Sequence, residues 1–142
     1  MVKQIANFNP RLVILFDQAE SALYDLQWDL HEAFPELNYE IVIGDVTHKM
    51  RVVNLIKSFK PQIIFHAAAY KHVNLVEKNI IQGTINNVLG TYNIAMKAFN
   101  NNVPHFVHIS TDKAVRPTNI MGASKRMAEL IIQGLMASSK NK

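Results

Sequence analysis

A hydroxyl, a carboxylate and an ammonium group follow one another at Thr111, Asp112 and Lys113, directly after an apolar segment over residues 105–110. In parallel α/β proteins, polar residues that follow a strand lie at the edge of the sheet where ligands bind. An aspartate beside a lysine of lowered pKa can divide the acid and base roles that proton removal next to a carbonyl and expulsion of water require. These residues therefore predict an acid–base site. The alternative is a turn in which Asp112 is a cap and Lys113 is solvated.

The same region continues into a predicted helix over residues 119–135. Met121 and Lys125 are four positions apart, so their side chains share one face of that helix. The residue type favours a core position for Met121, whereas Ser124 and Arg126 are expected at the surface. The stretch from Ser110 to Lys125 is the strongest local functional signal in the chain.

Apolar runs and helical periodicity alternate along the whole sequence. Strands are predicted at residues 12–16, 40–45, 62–68 and 105–110, and helices at 2–8, 19–34, 49–59, 75–100 and 119–135. The long helical region is expected to bend near Gly90, and the tail over residues 138–142 is expected to fray. Short apolar strands that alternate with helices predict an α/β fold: a doubly wound, Rossmann-like parallel sheet of about four strands with helices on both faces.

Polar or small residues follow three of the predicted strands. In a doubly wound sheet, an acid at the position of Asp17 accepts hydrogen bonds from an adenosine ribose, which favours NAD over NADP. Asp45 and the adjacent Val46 would border the adenine. The third strand ends in side chains small enough to let a flat ligand approach the backbone, namely Ala67, Ala68 and Ala69. The alternative is that each aspartate only caps the turn or helix that follows it.

A dinucleotide-binding fold normally begins with a glycine-rich turn, which this sequence does not contain. No two of the five glycines are spaced to form G-x-G-x-x-G. We therefore expect a partial dinucleotide-binding domain over residues 1–142 that lacks the first strand and its loop, with the substrate-domain portion absent. In a sheet of order 3-2-1-4-5 that strand is central. Its loss predicts either direct pairing of the strands that end at Asp17 and Ala68, or self-association through exposed strand edges.

The composition excludes several classes of protein. The 142 residues include no cysteine, which excludes disulfides and thiolate metal sites, and the spacing of the histidines does not favour a metal. No apolar run is long enough for a membrane helix, so this chain is expected to be cytoplasmic and without a membrane segment. The formal charge of +4 suits an anionic partner. Nucleic acid is not favoured, because aromatic and basic residues do not interleave.

Three segments carry a resemblance to a known family. They are His66-Ala-Ala-Ala-Tyr-Lys-His-Val73, Asn87-Val-Leu-Gly-Thr91 and the long stretch from Ile109 to Arg126. They resemble the UDP-N-acetylglucosamine 4,6-dehydratases, extended short-chain dehydrogenase/reductases of the CapD type that act in polysaccharide biosynthesis. The early segment from Phe8 to Asp17 is also similar, so the resemblance covers essentially the whole chain.

The resemblance implies a mechanism for the intact family. Bound NAD or NADP oxidises C4 of the UDP-sugar, water leaves across C5–C6, and the hydride returns to C6. By matching position, Asp112 would be the acid, Lys113 the base, and Thr111 a hydrogen-bond partner of the reacting hydroxyl. Lys125 would bind the nicotinamide ribose. Met121 stands where most short-chain dehydrogenases have tyrosine, which is similar to the membrane-anchored branch of the family.

Further roles follow from the same resemblance. Lys71, His72 and Asn119 would contact the substrate, and the intact proteins would act at the cytoplasmic face of the inner membrane. Without a glycine-rich turn, the chain alone is expected to be inactive, and whether it binds a cofactor stays open. The alternative function is a non-catalytic assembly module that associates with itself or with a full-length relative.

Overall fold

The computed structural model describes residues 1–139, which form two compact units: unit 1, Met1–Asp45, and unit 2, which begins at Val46. Unit 1 contains α1 (Val2–Ala6), β1 (Val13–Asp17), α2 (Glu20–Ala33) and β2 (Tyr39–Ile43). Unit 2 contains α3 (Lys49–Phe59), β3 (Ile63–His66), α4 (Val73–Lys78), α5 (Ile80–Thr84), a π-helical turn (Ile85–Gly90), α6 (Thr91–Asn100), β4 (His105–His108), a 3-10 turn (Asp112–Ala114) and α7 (Ile120–Ser139).

Unit 1 is a parallel strand pair packed against one helix. β1 and β2 pair in parallel, with Val13 opposite Tyr39 and Asp17 opposite Ile43. The helical spacing of Leu23 and Leu30 places both side chains on the inner face of α2, where they are buried with Leu15 of β1. This small core holds Asp17 at the carboxyl end of β1.

Unit 2 is built on a second parallel pair, β3 and β4, with Ile63 opposite His105 and His66 opposite His108. Because side chains alternate along a strand, His66 and His108 lie on one face of this sheet. The other face carries Ile63, Phe65 and Val107, which are all exposed. The buried residues of unit 2 come mostly from its helices and include Val52, Ile56, Ile94, Ala98, Met121 and Ala128.

The α/β class and the parallel strands are confirmed, but the arrangement of the sheet differs from the expectation. The four strands form two separate two-stranded sheets, β1–β2 and β3–β4, so within residues 1–139 β1 and β3 do not pair. Helices on both faces were expected, yet one face of β3–β4 is exposed. Periodicity identifies each strand, but it carries no information about which strands share hydrogen bonds.

Most of the predicted elements form, with shifted ends. β3 ends at His66, so Ala67–Ala69 lie beyond the strand, and α7 runs on to Ser139. Ser138 and Ser139 are therefore helical, contrary to the expected fraying, while residues 140–142 lie outside the described part. The bend predicted near Gly90 is a π-helical turn that ends at that residue. No helix of residues 1–139 is long and apolar enough to cross a bilayer.

Candidate active site

The structure brings Thr111, Asp112 and Lys113 together in one short turn after β4. The Thr111 hydroxyl caps the 3-10 turn by accepting from the Lys113 backbone N–H at 3.4 Å, and it donates to Asp112 Oδ1 at 2.9 Å. Lys113 Nζ lies 3.3 Å from the same Oδ1. The cap of the turn is therefore Thr111 and not Asp112, and one carboxylate oxygen of Asp112 accepts from both the hydroxyl and the ammonium group.

This arrangement favours the ionised form of the Asp112 carboxyl group. The hydrogen bond from Thr111, followed by those from Lys113, lowers the pKa of the Asp112 carboxyl below its usual range. Asp112 is therefore ionised at neutral pH and must gain a proton before it can act as an acid. Covering the turn with a ligand would favour that change, because desolvation raises a carboxyl pKa.

The turn is fixed on the first residues of α7 through Gly122. A Cβ on Gly122 would overlap the Lys113 carbonyl oxygen, so only glycine allows this backbone approach. Asn119 Oδ1 accepts from the Gly122 N–H at 2.8 Å, and Glu77 Oε1 accepts from the Ile120 N–H at 2.6 Å. Asn119, which the resemblance assigns to substrate binding, therefore serves here as the N-cap of α7.

Lys125 is buried one helical turn after Met121. It is 6% exposed, and its Nζ donates to the Ile109 carbonyl at 2.6 Å, at the end of β4. Burial lowers the pKa of the Lys125 ammonium, while the negative charge of Glu129 acts in the opposite direction. Met121 is 3% exposed, as its residue type favoured. The two side chains share one face of α7, as predicted, and that face is the buried one.

Glu129 is a residue of this site that the sequence reasoning missed. Its carboxylate accepts from Ser110 Oγ at 2.5 Å and from Arg126 at 2.7 Å. The hydrogen bond from Ser110 and then that from Arg126 lower the pKa of the Glu129 carboxyl. The sequence could have indicated Glu129, because it stands four residues after Lys125 and residues at this spacing are neighbours on a helix.

Two histidines, the buried His66 and the half-buried His108, lie on the same face of β3–β4. The rings of His66 and His108 stack with centroids 5.5 Å apart. Thr91 Oγ1 donates to the Asn87 carbonyl, so it accepts from His66 Nε2 at 2.9 Å, which makes Nε2 the protonated nitrogen of His66. Within residues 1–139, neither ring nitrogen of His108 has a hydrogen-bond partner. Both imidazoles are held neutral: burial lowers the pKa of His66 to about 3 and that of His108 to about 4.

Asn87 is the second residue that sequence reasoning missed, except as part of a motif. It is 1% exposed, its Oδ1 accepts from the Tyr70 N–H at 2.7 Å, and its Nδ2 donates to the Tyr70 carbonyl at 3.0 Å and to Ser124 Oγ at 2.9 Å. Asn87 thereby ties the segment after β3 to α7. Ser124 is buried, so the expectation that it lies at the surface was wrong, whereas Arg126 is exposed. The sequence feature that could have indicated this role is the pair Asn86 and Asn87, which stands inside an otherwise apolar helical run.

The predicted cofactor and substrate residues fall in both units. Asp17 and Asp45 belong to unit 1, where Asp17 Oδ1 accepts from the Ala19 N–H at 2.9 Å, which is the capping role given as the alternative. In unit 2, the Val46 side chain is buried against Gly90 and does not form an exposed border. Lys71 and His72 are exposed, as is Ala67, while Ala68 and Ala69 are partly buried.

Acidification should destabilise unit 2 through His66. An imidazole with a pKa of about 3 when folded and about 6.5 when unfolded binds fewer protons in the folded state, so stability falls as the pH drops below about 6.5. For His66 alone, the change from pH 7 to pH 5 should cost about 2 kcal/mol of unfolding free energy. The measurement is urea unfolding followed by circular dichroism at both pH values.

His66→Gln retains a donor for Thr91 and removes the titration, so its unfolding free energy should change less between pH 7 and pH 5. His31→Gln, on an exposed position of α2, is the control and should show the pH dependence of the original chain. Identical pH dependence in all three proteins would contradict the assignment.

Parallel strand pairs that alternate with helices, and a Thr-Asp-Lys turn after β4 that packs on a helix with a buried lysine, are features of a Rossmann-type domain of the short-chain dehydrogenase/reductase kind. A family model described as "Polysaccharide biosynthesis protein" matches residues 1–142. The chain belongs to this family of CapD-type polysaccharide biosynthesis proteins.

Curated relatives agree with this assignment. The chain is 42% identical over 134 residues to the capsular polysaccharide biosynthesis protein CapD of Staphylococcus aureus, covering 94% of this chain and 22% of CapD. It is 39% identical over 143 residues to the "uncharacterized membrane protein MJ1061" of Methanocaldococcus jannaschii, covering 100% and 41%. It is 31% identical over 121 residues to a UDP-N-acetylglucosamine 4,6-dehydratase (inverting) of Campylobacter jejuni, covering 85% and 34%. The chain thus spans less than half of each of these relatives.

Solved structures support the fold and the cofactor of the family. Pen from Bacillus thuringiensis superimposes with a TM-score of 0.88 at 29% identity, over 98% of this chain and 42% of that one. The dTDP-4-dehydrorhamnose reductase of Bacillus anthracis, solved with NADP, gives a TM-score of 0.67 at 27% identity, over 87% and 49%. Intact members of this structural class bind NAD or NADP.

The residues present fit part of such a cofactor. In unit 2, Ala67–Ala69 lie beyond β3, carry only methyl side chains and are partly exposed, so a flat group could approach the backbone there. The five glycines of the chain form no G-x-G-x-x-G turn for a pyrophosphate. The fit of unit 2 is therefore to a flat group of such a cofactor.

Proposed function

We propose that this chain is part of a nucleotide-sugar 4,6-dehydratase that acts on UDP-N-acetylglucosamine. It would supply the turn that carries the acid Asp112 and the base Lys113, here called the acid–base turn, and the helix α7 that carries Lys125. One observation carries the proposal: Thr111, Asp112 and Lys113 share one carboxylate oxygen on a turn that Gly122 seats on α7. Removal of water from neighbouring carbons needs an acid and a base held side by side, and this turn holds them so. Bound NAD or NADP would supply hydride transfer at C4 and C6.

The roles of the chain's own residues follow from this geometry. Lys113 is half exposed and ion-paired with Asp112. We propose that, once substrate covers the pair, the Lys113 ammonium passes a proton to Asp112. The neutral Lys113 amine then takes the proton from C5, and the Asp112 carboxylic acid protonates the departing hydroxyl. Thr111 would orient the C4 hydroxyl through the Oγ1 that now donates to Asp112. Lys125 Nζ gives one of its three donor hydrogens to the Ile109 carbonyl, and the others are proposed to bind a nicotinamide ribose. Lys71 and His72 are exposed and are proposed to contact the UDP-sugar.

A chimera tests the catalytic roles. The matched segment of the Campylobacter jejuni dehydratase would be replaced by the corresponding residues of this chain, and formation of the 4-keto sugar from UDP-N-acetylglucosamine measured. We expect activity in the chimera and a loss of about 10²- to 10⁴-fold on Asp112→Asn or Lys113→Ala. Lys78→Ala, at the exposed end of α4, is the control. A folded, active chimera that is indifferent to both substitutions would refute the assignment.

The 142 residues tested by themselves should form no 4-keto product from UDP-N-acetylglucosamine and NAD⁺, since no glycine-rich turn in them cradles the pyrophosphate. The assay is chromatography of the reaction mixture with the intact Campylobacter enzyme as the positive control. Detectable turnover would refute the expectation that these residues are inactive alone.

A second candidate function is that of an assembly module that associates with itself. Within residues 1–139, β1 and β3 each pair along one edge only, and an unpaired edge is a template for another chain. The helical run over residues 79–96 contains no charged residue, yet Ile81 is 72% exposed and Leu89 46% exposed. A charge-free exposed apolar helix face is typical of an interface.

Light scattering tests self-association of the chain. We expect a dimer or larger species, and a clean monomer across the micromolar range would exclude the assembly function. Ile81→Glu/Leu89→Glu separates the two surfaces: dissociation would assign the association to the helix face, and an unchanged mass would assign it to the strand edges.

The site of action is proposed to be the cytoplasmic face of a membrane. The supporting fact is the membrane-protein name of the relative from Methanocaldococcus jannaschii.

A further inference from the structure

Two hydrogen bonds from neighbouring positions of α7 hold the chain just after β4. Lys125 Nζ donates to the Ile109 carbonyl at 2.6 Å, and Glu129 Oε1 accepts from Ser110 Oγ at 2.5 Å. Lys125 and Glu129 are four positions apart, so they lie on the same side of the helix, and their partners are consecutive in the chain. Because residues 109 and 110 lead directly into the acid–base turn, both bonds hold the start of that turn on α7.

Both carboxylate oxygens of Glu129 are engaged. Oε2 accepts from Arg126 Nη1 at 2.7 Å, and Oε1 accepts from Ser110. The Glu129 side chain is 23% exposed, and the hydrogen bond from Ser110 and then that from Arg126 lower the pKa of its carboxyl group. Glu129 is therefore ionised at neutral pH. A hydrogen bond to an ionised acceptor is stronger than one between neutral groups, so it can hold Ser110 in place although Ser110 is exposed.

Glu129 also supplies negative charge beside the buried Lys125 ammonium. Burial lowers the pKa of Lys125, and the charge of Glu129 raises it. The other titratable groups that interact with Lys125 are His66 of β3 and His108 of β4. Burial above all lowers the pKa of these two imidazoles, to about 3 and about 4, and the charge of Lys125 adds to the effect in both. Both rings are neutral at neutral pH, so the carboxylate of Glu129 is the group that favours the ammonium form of Lys125.

The ammonium form of Lys125 matters for the contact proposed for it. An ammonium group has three N–H donors, whereas a neutral amine has two. The Ile109 carbonyl takes one of them. The ammonium form alone leaves two donors for the two hydroxyl groups of a nicotinamide ribose.

We propose that Glu129 is a positioning residue of the proposed active site. Its carboxylate holds Ser110, and with it the start of the acid–base turn, on α7, and its negative charge keeps the neighbouring Lys125 in the ammonium form. Glu129 would touch neither substrate nor cofactor and would act through Ser110 and Lys125. The inference rests on the proposed function, because it adds a residue to the same site.

Two substitutions separate the hydrogen bond of Glu129 from its charge. Glu129→Gln keeps an oxygen that can accept from Ser110 but removes the negative charge. Ser110→Ala removes the hydrogen bond and keeps the charge. Glu32→Gln, at an exposed position of α2, removes the same charge elsewhere and is the control.

NMR of the 142-residue chain measures both effects. The Lys125 side-chain signals are followed between about pH 7 and about pH 11, because lysine titrates in this range or below it when buried. In Glu129→Gln, Lys125 should lose its proton at lower pH than in the original chain, since the ammonium group has lost a stabilising charge. In Ser110→Ala the titration of Lys125 should change little, but the amide signals of residues 111–113 should move. Glu32→Gln should change neither.

The active chimera supplies the catalytic readout. Ser110→Ala should lower kcat about tenfold or more at every pH, because the acid and base are displaced. The loss in Glu129→Gln should instead grow as the pH rises and diminish as it falls, because acidification restores the Lys125 ammonium. A purely structural role of Glu129 would not produce this pH dependence.

Circular dichroism establishes that the variants are folded. An unchanged Lys125 titration in Glu129→Gln would overturn the proposal, and so would unmoved signals of residues 111–113 in Ser110→Ala. If Glu129→Gln does not fold, Ser110→Ala alone decides, because it alters an exposed residue. The titration contains neither substrate nor cofactor, so this inference can fail while the chimera is active, and an inactive chimera leaves the titration unaffected.

Discussion

Gly122→Ala should destabilise unit 2 by about 2–3 kcal/mol, although alanine is ordinarily the better residue inside a helix. The added methyl group would overlap the Lys113 carbonyl oxygen, which is backbone and cannot rotate away, and would lie 3.3 Å from Asn119 Oδ1. Relief requires the turn that carries Asp112 and Lys113 to move off α7. Urea unfolding measures the loss of stability, and amide NMR shifts of residues 111–115 report the movement.

The same helix provides the matched control for this substitution. A Cβ on Gly134 would meet no atom within 4 Å, so Gly134→Ala should stabilise α7 by about 0.5–1 kcal/mol. The two variants differ only in position, and their effects should have opposite signs. If Gly122→Ala were stabilising, the close contact between Gly122 of α7 and the Lys113 carbonyl oxygen would be wrong.

Asn87→Ala should cost about 3 kcal/mol of unfolding free energy, because it removes several hydrogen bonds made in a buried site, each worth about 1 kcal/mol. The lost partners are the N–H and carbonyl of Tyr70 and the hydroxyl of Ser124. The segment that carries Lys71 and His72 would then be released from α7. Urea unfolding and faster hydrogen exchange of the Tyr70 amide are the measurements.

Asn101→Ala is the control for Asn87, since Asn101 also donates to a carbonyl, that of Lys97 at 2.8 Å, but does so from an exposed position. It should change the unfolding free energy by about 0.5 kcal/mol or less. Asn87→Asp keeps the acceptor for the Tyr70 N–H but places a buried carboxylate oxygen against the Tyr70 carbonyl, so a loss at least as large as that of Asn87→Ala is expected. An effect of Asn87→Ala no larger than that of Asn101→Ala would contradict the inference that Asn87 holds the segment after β3 against α7.

Both substitutions act on how the site is held, and neither removes a residue with a proposed chemical role. The acid–base turn is placed by a backbone contact at Gly122, and the Lys71–His72 segment is placed by the amide of Asn87. These two contacts fix both segments relative to α7, which carries Lys125. A methyl group on Gly122 of α7 is therefore expected to displace the candidate acid and base without changing either side chain.

The sequence by itself determined the local features of this protein. Apolar runs gave the four strands, helical spacing gave the buried face of α2, and the order of residues from Ile109 to Arg126 carried the resemblance to the family. It also placed Thr111, Asp112 and Lys113 together, because adjacent residues in a turn need no long-range contact to meet. Met121 and Lys125 share a face for the same local reason, the period of the helix.

Only the tertiary structure decided what depends on residues far apart in the chain. The pairing of β1 with β2 and of β3 with β4, and the burial of Ser124, arise from contacts that no pattern in the sequence encodes. Lys125 meets the Ile109 carbonyl across 16 residues, and Asn87 meets Ser124 across 37. Hydrogen bonds act over about 3 Å, so partners of this kind are fixed only when packing brings their elements together.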